Sequence, residues 1–200
     1  EFQKMKAIYI AALLAATITS SLLYINKEAL FTPKADPLPL YQGHVDLQKF
    51  SGIWYEIRRL PVDFELDGVC SQVNYKYESN TTIGCKDTSR FRGPDGPLML
   101  GEGSGVSANE NNTMIHFNFY KLIYNNLGII EIDEDYQYFM YGNEKRSNLW
   151  IMSRKPTLDN VTINTLQDRA ADLGYEIRYL INTYQDSKCK YQEYEDFWQE

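Results

Sequence analysis

The chain has 200 residues, of which 44% are hydrophobic and 24% charged, so it can bury a sizeable core and is neither disordered nor fibrous. The formal net charge of −7 argues against nucleic-acid binding, because no Lys/Arg excess is available to neutralise phosphates. Two His and three Cys are too few for the usual four-ligand zinc site, and the sequence predicts no metal and no cofactor. The sixteen Tyr favour β-structure.

Residues 1–26 have the pattern of a targeting segment. Lys4 and Lys6 flank the start of an apolar run, Ala7–Leu23, which is the order found in a secretory signal peptide. The run is also about long enough to span a bilayer when tilted, so an uncleaved signal anchor that brings the chain to a membrane is the alternative. The absence of Cys near its end argues against a bacterial-type lipid anchor.

Three Asn-x-Thr triplets agree with entry into the secretory pathway. They begin at Asn80, Asn111 and Asn160, and each is a candidate glycosylation site on the surface. Such triplets occur singly by chance, but together with the apolar run they predict a secreted, extracellular glycoprotein.

The middle of the chain has the pattern of an antiparallel β-protein. After an extended leader, 27–45, and a short helical turn, Asp46–Phe50, come eight alternating or aromatic-rich runs at hairpin spacing. They are Gly52–Leu60, Ser71–Ser79, Thr81–Phe91, Pro97–Ala108, Thr113–Ile123, Gly128–Asp133, Tyr136–Gly142 and Asn148–Arg154. Turn-forming residues separate these runs, which indicates a β-sandwich or a β-barrel.

The periodicity then changes to that of a helix. Apolar residues recur at helical spacing and Gly174 ends the run. The apolar stripe is Leu158, Val161, Leu166, Ala170 and Leu173. One amphipathic helix after eight strands must bury its stripe on the outside of the sheet, so we expect it there. A short ninth strand, Glu176–Thr183, and an acidic tail, 191–200, follow.

Alternation within the strands identifies a dry face. In the second predicted strand Val73, Tyr75 and Tyr77 share one face, and in the fifth Ile115, Phe117 and Phe119 do. Side chains alternate across a sheet, so these apolar faces line an interior while the polar faces meet water.

Three motifs stand in an order that is typical of one family. The first runs from Asp46 to Pro61 and contains Gly52-x-Trp54; the second is Asp133-x-Asp135-Tyr136-x-Tyr138; the third is Leu149–Pro156. With the helix directly after them, they resemble the lipocalins, in the branch of apolipoprotein D and the bacterial outer-membrane lipocalins. The resemblance covers about residues 44–190.

The resemblance implies a fold that is all-β with one helix. This is an eight-stranded up-and-down antiparallel β-barrel with a C-terminal α-helix packed outside, over residues 46–190. In this reading Gly52 lets the short helical turn cross close under the barrel, Trp54 plugs the base, and Arg154 lies on the indole. These three residues belong to the fold rather than to a ligand site.

The cysteines also fit the resemblance. Relatives near apolipoprotein D join the positions of Cys70 and Cys189 by a disulfide, and we expect that bond here. Cys85 is then left over on an internal strand, where a small buried thiol is expected. A reactive thiol or an intermolecular disulfide is the alternative for Cys85.

The predicted function is that of a secreted carrier that binds or sequesters one small hydrophobic ligand inside the barrel. The Tyr-rich lining favours a ligand with a polar end, such as a fatty acid, lysophospholipid, sterol or retinoid. The candidate ligand-binding residues are Val73, Tyr75, Tyr77, Ile115, Phe117, Phe119, Tyr138, Met140, Trp150 and Met152.

Two further motifs bear on function. Gly101–Gly105 has the wrong spacing for a phosphate-binding loop, and glycines in a strand predict a bend or bulge of the barrel wall instead. We assign no catalytic residue. The alternative functions are a lipocalin-fold enzyme of the isomerase or de-epoxidase type, for which Cys85 or Glu56 would be the candidate group, and a membrane-anchored lipid-handling module.

Overall fold

The computed structural model describes residues 36–65, 67–119, 123–193 and Trp198. The predicted signal peptide or anchor, 1–26, lies outside the described residues. No helix in the described ranges combines the length and the apolar character needed to cross a bilayer. The described residues of the leader, 36–45, have no helix or strand and bury Leu38 and Val45.

Within these ranges the chain forms nine strands and two α-helices. The helices are α1, Leu47–Phe50, and α2, Asn160–Asp172. The strands are β1 Gly52–Arg59, β2 Gly68–Ser79, β3 Thr82–Phe91, β4 Leu98–Ser107, β5 Met114–Phe119, β6 Ile123–Ile132, β7 Tyr138–Gly142, β8 Leu149–Ser153 and β9 Ile181–Asn182. Neighbouring strands pair antiparallel in the order β2-β3-β4-β5-β6-β7-β8-β1-β9, and β1 also pairs with β2. The predicted eight-stranded up-and-down barrel is confirmed.

The predicted strand bounds shift in the structure, and two strands differ most from their prediction. β6 begins at Ile123 rather than Gly128, because the segment that contains Asn125 and Asn126 pairs with β5 instead of forming a turn. The ninth strand is reduced to Ile181–Asn182 and is preceded by a 3-10 turn, Ile177–Tyr179.

The barrel base is sealed by an aromatic cluster under a guanidinium. The Trp54 indole is completely buried, donates from Nε1 to the Phe50 carbonyl at 2.8 Å, and packs against Phe139 with ring centroids 4.6 Å apart. The Arg154 guanidinium lies 3.7 Å from the centre of the Trp54 ring. It also donates to the carbonyls of Lys49, Phe50, Ile53 and Tyr136.

Gly52 allows this close approach. Its φ of +101° is a conformation that L side chains rarely adopt, and a Cβ there would lie 3.1 Å from Arg154 Nη1. The Asp46 carboxylate caps α1 by accepting from the backbone N–H of Gln48 and Lys49. The short helix is thereby fixed under the barrel, as the sequence predicts.

The helix α2 covers the outside of the barrel. Asp159 caps it by accepting from the Thr162 N–H, and the buried stripe is Ile163, Leu166 and Ala170. Val161, which the periodicity placed in that stripe, is 77% exposed, because it lies two residues before Ile163 and so about 200° around the helix from it. Ile57 of β1 and Ile163 of α2 line the same external groove.

The C-terminal segment bridges the seam between β1 and β2. These strands pair over only four residues, from Gly52↔Tyr75 to Tyr55↔Gln72. Above that point Gln185 Nε2 donates to the carbonyls of Glu56 on β1 and Ser71 on β2, at 2.8 and 2.7 Å. The predicted disulfide between Cys70 and Cys189 is present, with a Cα–Cα distance of 5.5 Å.

Replacing Arg154 by Met should lower the free energy of unfolding by roughly 2–4 kcal/mol, since a cation–π contact and several charge-assisted hydrogen bonds are lost. Thermal unfolding followed by circular dichroism measures the change. Arg178→Met is the control, because Arg178 also lies over an aromatic ring, that of Tyr179 at 4.9 Å, but is 66% exposed. Equal effects of the two substitutions would contradict a special role for the base.

Candidate functional site

The inward-facing residues divide the barrel into a packed floor and a partly accessible upper wall. Inward side chains near α1, such as Phe50, Trp54, Ile83 and Phe139, are at most 1% exposed. Register places a second group of inward residues towards the other end, and all of them keep partial exposure. These are Asp87, Met99, Gly101, Gly103, Phe119 and Asn125. The candidate ligand site is therefore the upper interior of β3–β6.

Most of the predicted lining residues lie in the interior. Six belong to its buried core cluster: Val73, Tyr75, Ile115, Phe117, Trp150 and Met152. Phe119 is partly buried and packs against that cluster. These positions fit the predicted lining, and their contact with a ligand stays a prediction.

Two predicted lining residues face away from the interior, and a third, Tyr77, shares the inward face of its partner Ile83 but lies at the end of its strand. On β7 the inward residues are Phe139 and Tyr141, whereas Tyr138 and Met140 take the opposite face. Met140 is nevertheless completely buried, so burial alone does not identify the lumen. Tyr77 lies near the end of β2 with 37% exposure, and its hydroxyl donates to Asn80 Oδ1.

A row of glycines on β4 lies on the inner face of the wall. Gly101, Gly103 and Gly105 pair with the inward residues Asp87, Cys85 and Ile83 of β3. A Cβ at Gly105 would meet Phe117 at 2.9 Å, and one at Gly103 would meet the Phe119 ring at 2.9 Å. The predicted bulge is wrong, because β4 keeps an unbroken register with both neighbours, and the predicted bend stays a prediction. The glycines instead let aromatic rings lie on the backbone.

Asp87 is a carboxyl group that projects into the interior. It lies two residues from the buried Cys85 on the same face of β3, and Cys85 Sγ donates to its Oδ1 at 3.5 Å. Burial is the main cause that raises the pKa of Asp87 to about 7; the thiol hydrogen bond opposes the rise and the charge of Glu56 adds to it. Its charge also raises the pKa of Tyr141 on β7, which lies across the eight-stranded ring.

A second acid, Glu65, reaches the interior from the 3-10 turn Asp63–Glu65 that follows β1. Its Oε2 accepts from Trp150 Nε1 at 3.0 Å, and its side chain is 20% exposed. Burial, followed by the charge of Glu56, raises the pKa of Glu65 to about 8. The charge of Asp87 also raises the pKa of Glu65, so the two acids interact electrostatically.

Neither candidate catalytic group is free for catalysis. Glu56 is 3% exposed and is bound by Arg59 Nη1 at 2.5 Å and by the Thr183 hydroxyl. Burial raises the pKa of the Cys85 thiol well above its usual value, so at neutral pH it is not the thiolate that a nucleophile requires. Cys85 is a buried free thiol, as expected.

The three predicted glycosylation sites are accessible. Asn80, Asn111 and Asn160 are all exposed, the first two at loop ends and the third at the start of α2. Their modification stays a prediction.

The fold and its sealed base define a lipocalin. The profile of the Lipocalin-like domain family matches residues 45–185, and the chain belongs to this family. A relative from Acanthamoeba polyphaga mimivirus is 32% identical over 149 residues, which cover 70% of this chain and 85% of the relative. Apolipoprotein D of Rattus norvegicus is 29% identical over 143 residues, covering 66% and 72%. The predicted family is confirmed.

Solved structures agree on the fold. Lobster apocrustacyanin A1 superposes with a TM-score of 0.60 at 16% identity, over 79% of this chain and 96% of the other. At this level of identity the similarity concerns the barrel and its helix alone.

Replacing Asp87 by Asn should stabilise the ligand-free protein at pH 8. The folded-state pKa lies above the unfolded value of about 3.9, so stability from this group is complete below about pH 4 and is lost as the pH rises through 7. The variant should therefore exceed the parent in Tm at pH 8 by on the order of 5 °C, and match it near pH 4. Melting curves across this range measure the difference, with Asp135→Asn in an exposed turn as control. A constant offset at every pH would contradict the assignment.

Proposed function

We propose that this lipocalin binds one small hydrophobic ligand in the upper half of its barrel and carries or sequesters it. The observation that carries the proposal is the contrast between the packed floor and the partly exposed inward residues of β3–β6. Family membership supports the same function.

The lining suits an amphipathic molecule. Phe117 and Phe119 offer apolar surface over the glycines of β4, while Asp87 and Asn125 offer polar groups beside them. Such a mixture favours an apolar body with one polar end over a pure hydrocarbon. The classes predicted from sequence are a fatty acid, a lysophospholipid, a sterol or a retinoid-like molecule.

A barrel-filling variant tests the site. Gly101→Leu should weaken binding of the neutral fluorescent probe N-phenyl-1-naphthylamine by about tenfold or more, because the new side chain enters the lumen. A Cβ at Gly101 meets only ordinary contacts with Asp87, the shortest at 3.4 Å, so the backbone accepts the change. Probe fluorescence is measured in a titration, and competition with the four predicted ligand classes follows.

Glu102→Leu is the matched control, because Glu102 is the next residue of β4 and lies on the exposed face. It should bind the probe as the parent does. A parent protein that gives no probe signal, or a Gly101→Leu variant that binds normally while its melting curve is unchanged, would overturn the proposal.

Secretion is the second part of the proposal. The disulfide between Cys70 and Cys189 supports an oxidising compartment, and the exposed Asn-x-Thr sites agree with it. N-terminal sequencing of the product from a eukaryotic secretory host should show cleavage near residue 26, with the protein in the medium. A membrane-bound product that retains the apolar run Ala7–Leu23 would instead support the signal anchor.

A further inference from the structure

The upper interior contains more acidic than basic groups. The acids that reach it are Asp87 on β3, Glu65 on the 3-10 turn and Glu56 on β1, and the charge of Glu56 contributes to the raised pKa of both Asp87 and Glu65. Tyr75 of β2 and Tyr141 of β7 face the same space, and burial raises the pKa of both hydroxyls, which are neutral at physiological pH. In the part of the chain that the structure describes, Arg59 is the one cationic side chain among them.

Arg59 is unavailable to a ligand. It is 1% exposed, and Nη1 donates to Glu56 Oε1 at 2.5 Å and to the Thr183 hydroxyl at 3.3 Å. Nη2 donates to the carbonyls of Glu65 and Gly68. Its charge is thus compensated by Glu56, and its remaining donor, Nε, lies 3.8 Å from Glu65 Oε2.

Asp87, by contrast, has an open side. Among the described residues its one hydrogen-bond donor is the weak Cys85 thiol, which contacts Oδ1. Oδ2 lies 3.5 Å from the point where Gly101 would carry a Cβ, and the three atoms nearest to that point all belong to Asp87. The missing side chain at Gly101 leaves room for a ligand group beside this oxygen.

We propose that the barrel prefers apolar ligands whose polar end is a protonated amine, with Asp87 as the counter-charge. This selectivity rests on the proposed carrier function and narrows it. An ammonium group beside Oδ2 forms a charge-assisted hydrogen bond in a largely desolvated site. A fatty-acid carboxylate would instead place another negative charge beside Asp87 and Glu65, with no free cation among the described residues to compensate it. Phe117 and Phe119 supply the apolar surface for the remainder of the amine.

Three probes with the same alkyl chain separate the contribution of the polar end to binding affinity from that of the apolar body. Decylamine, 1-decanol and decanoate, each below its aggregation concentration, are titrated calorimetrically into the full chain at pH 8. Decanol should bind through its chain alone. Decylamine should bind at least about tenfold more tightly than decanoate, which is the size expected for one charge-assisted contact.

Asp87→Asn should remove this preference. The decylamine affinity should fall by about 10- to 100-fold, while the decanol affinity changes by less than about threefold. Glu102→Gln is the matched control: this carboxylate of β4 lies on the outer face, is 64% exposed, and pairs with Lys86 at 3.5 Å. It should leave all three affinities unchanged.

The outcomes separate the inference from the carrier function. If decanol binds but decanoate binds as tightly as decylamine, or if Asp87→Asn leaves decylamine binding intact, the amine preference is overturned and the carrier function stands. Loss of the preference in Glu65→Gln but not in Asp87→Asn overturns the assignment of Asp87. If none of the three probes binds, both proposals fail.

Discussion

The structure depends on one constraint, which is that a barrel must close without a free strand edge. Six neighbouring pairs, β2–β3 to β7–β8, follow the chain as hairpins and β8 pairs with β1, but β1 and β2 are joined through only four residue pairs. Beyond them β1 turns through an irregularity between Glu56 and Arg58 towards β8 and β9. Side chains bridge the part of the seam that lacks backbone pairing. Glu56 and Arg59 form a buried ion pair there, and Gln185 donates hydrogen bonds to the carbonyls of both strands.

Different residue types account for the sealed base of the barrel and for the partly exposed interior above it. Large rings around Trp54 and the guanidinium of Arg154 fill the narrow end, where packing leaves no accessible surface. On β4, by contrast, the inward positions are glycines, and the aromatic rings of β5 lie against the backbone there. The inward residues are thus fully buried at the base and partly exposed above it, where Asp87 lies opposite Gly101.

The sequence was sufficient for the architecture because its signals were redundant. Strand alternation predicted a sandwich or a barrel, and the resemblance carried by the three motifs and the helix after them decided for the barrel and predicted the disulfide. The sequence did not predict which residues of β7 face the interior. Tyr138–Tyr141 is apolar at every position because one face lines the core and the other is covered on the outside, so alternation carries no signal there.

The interior acids escaped prediction for a related physical reason. A carboxyl group breaks the alternation that marks a dry face, so Asp87 gave no sign that its strand position points inward. Glu65 lies in a turn, where acidic residues are ordinarily solvated, and its contact with Trp150 depends on how the chain after β1 folds back. Glu56 was named from the sequence only as a candidate catalytic group, and the structure shows its partner to be Arg59, three residues along the same strand.

The cystine connects residues 119 positions apart and fastens the segment that spans the β1–β2 gap. In a reducing cytosol the segment 183–189 loses this covalent attachment, and two strand margins become available to other chains as templates for intermolecular β-pairing. Loss of the disulfide would therefore expose the barrel to such pairing at this seam rather than at its well-packed floor.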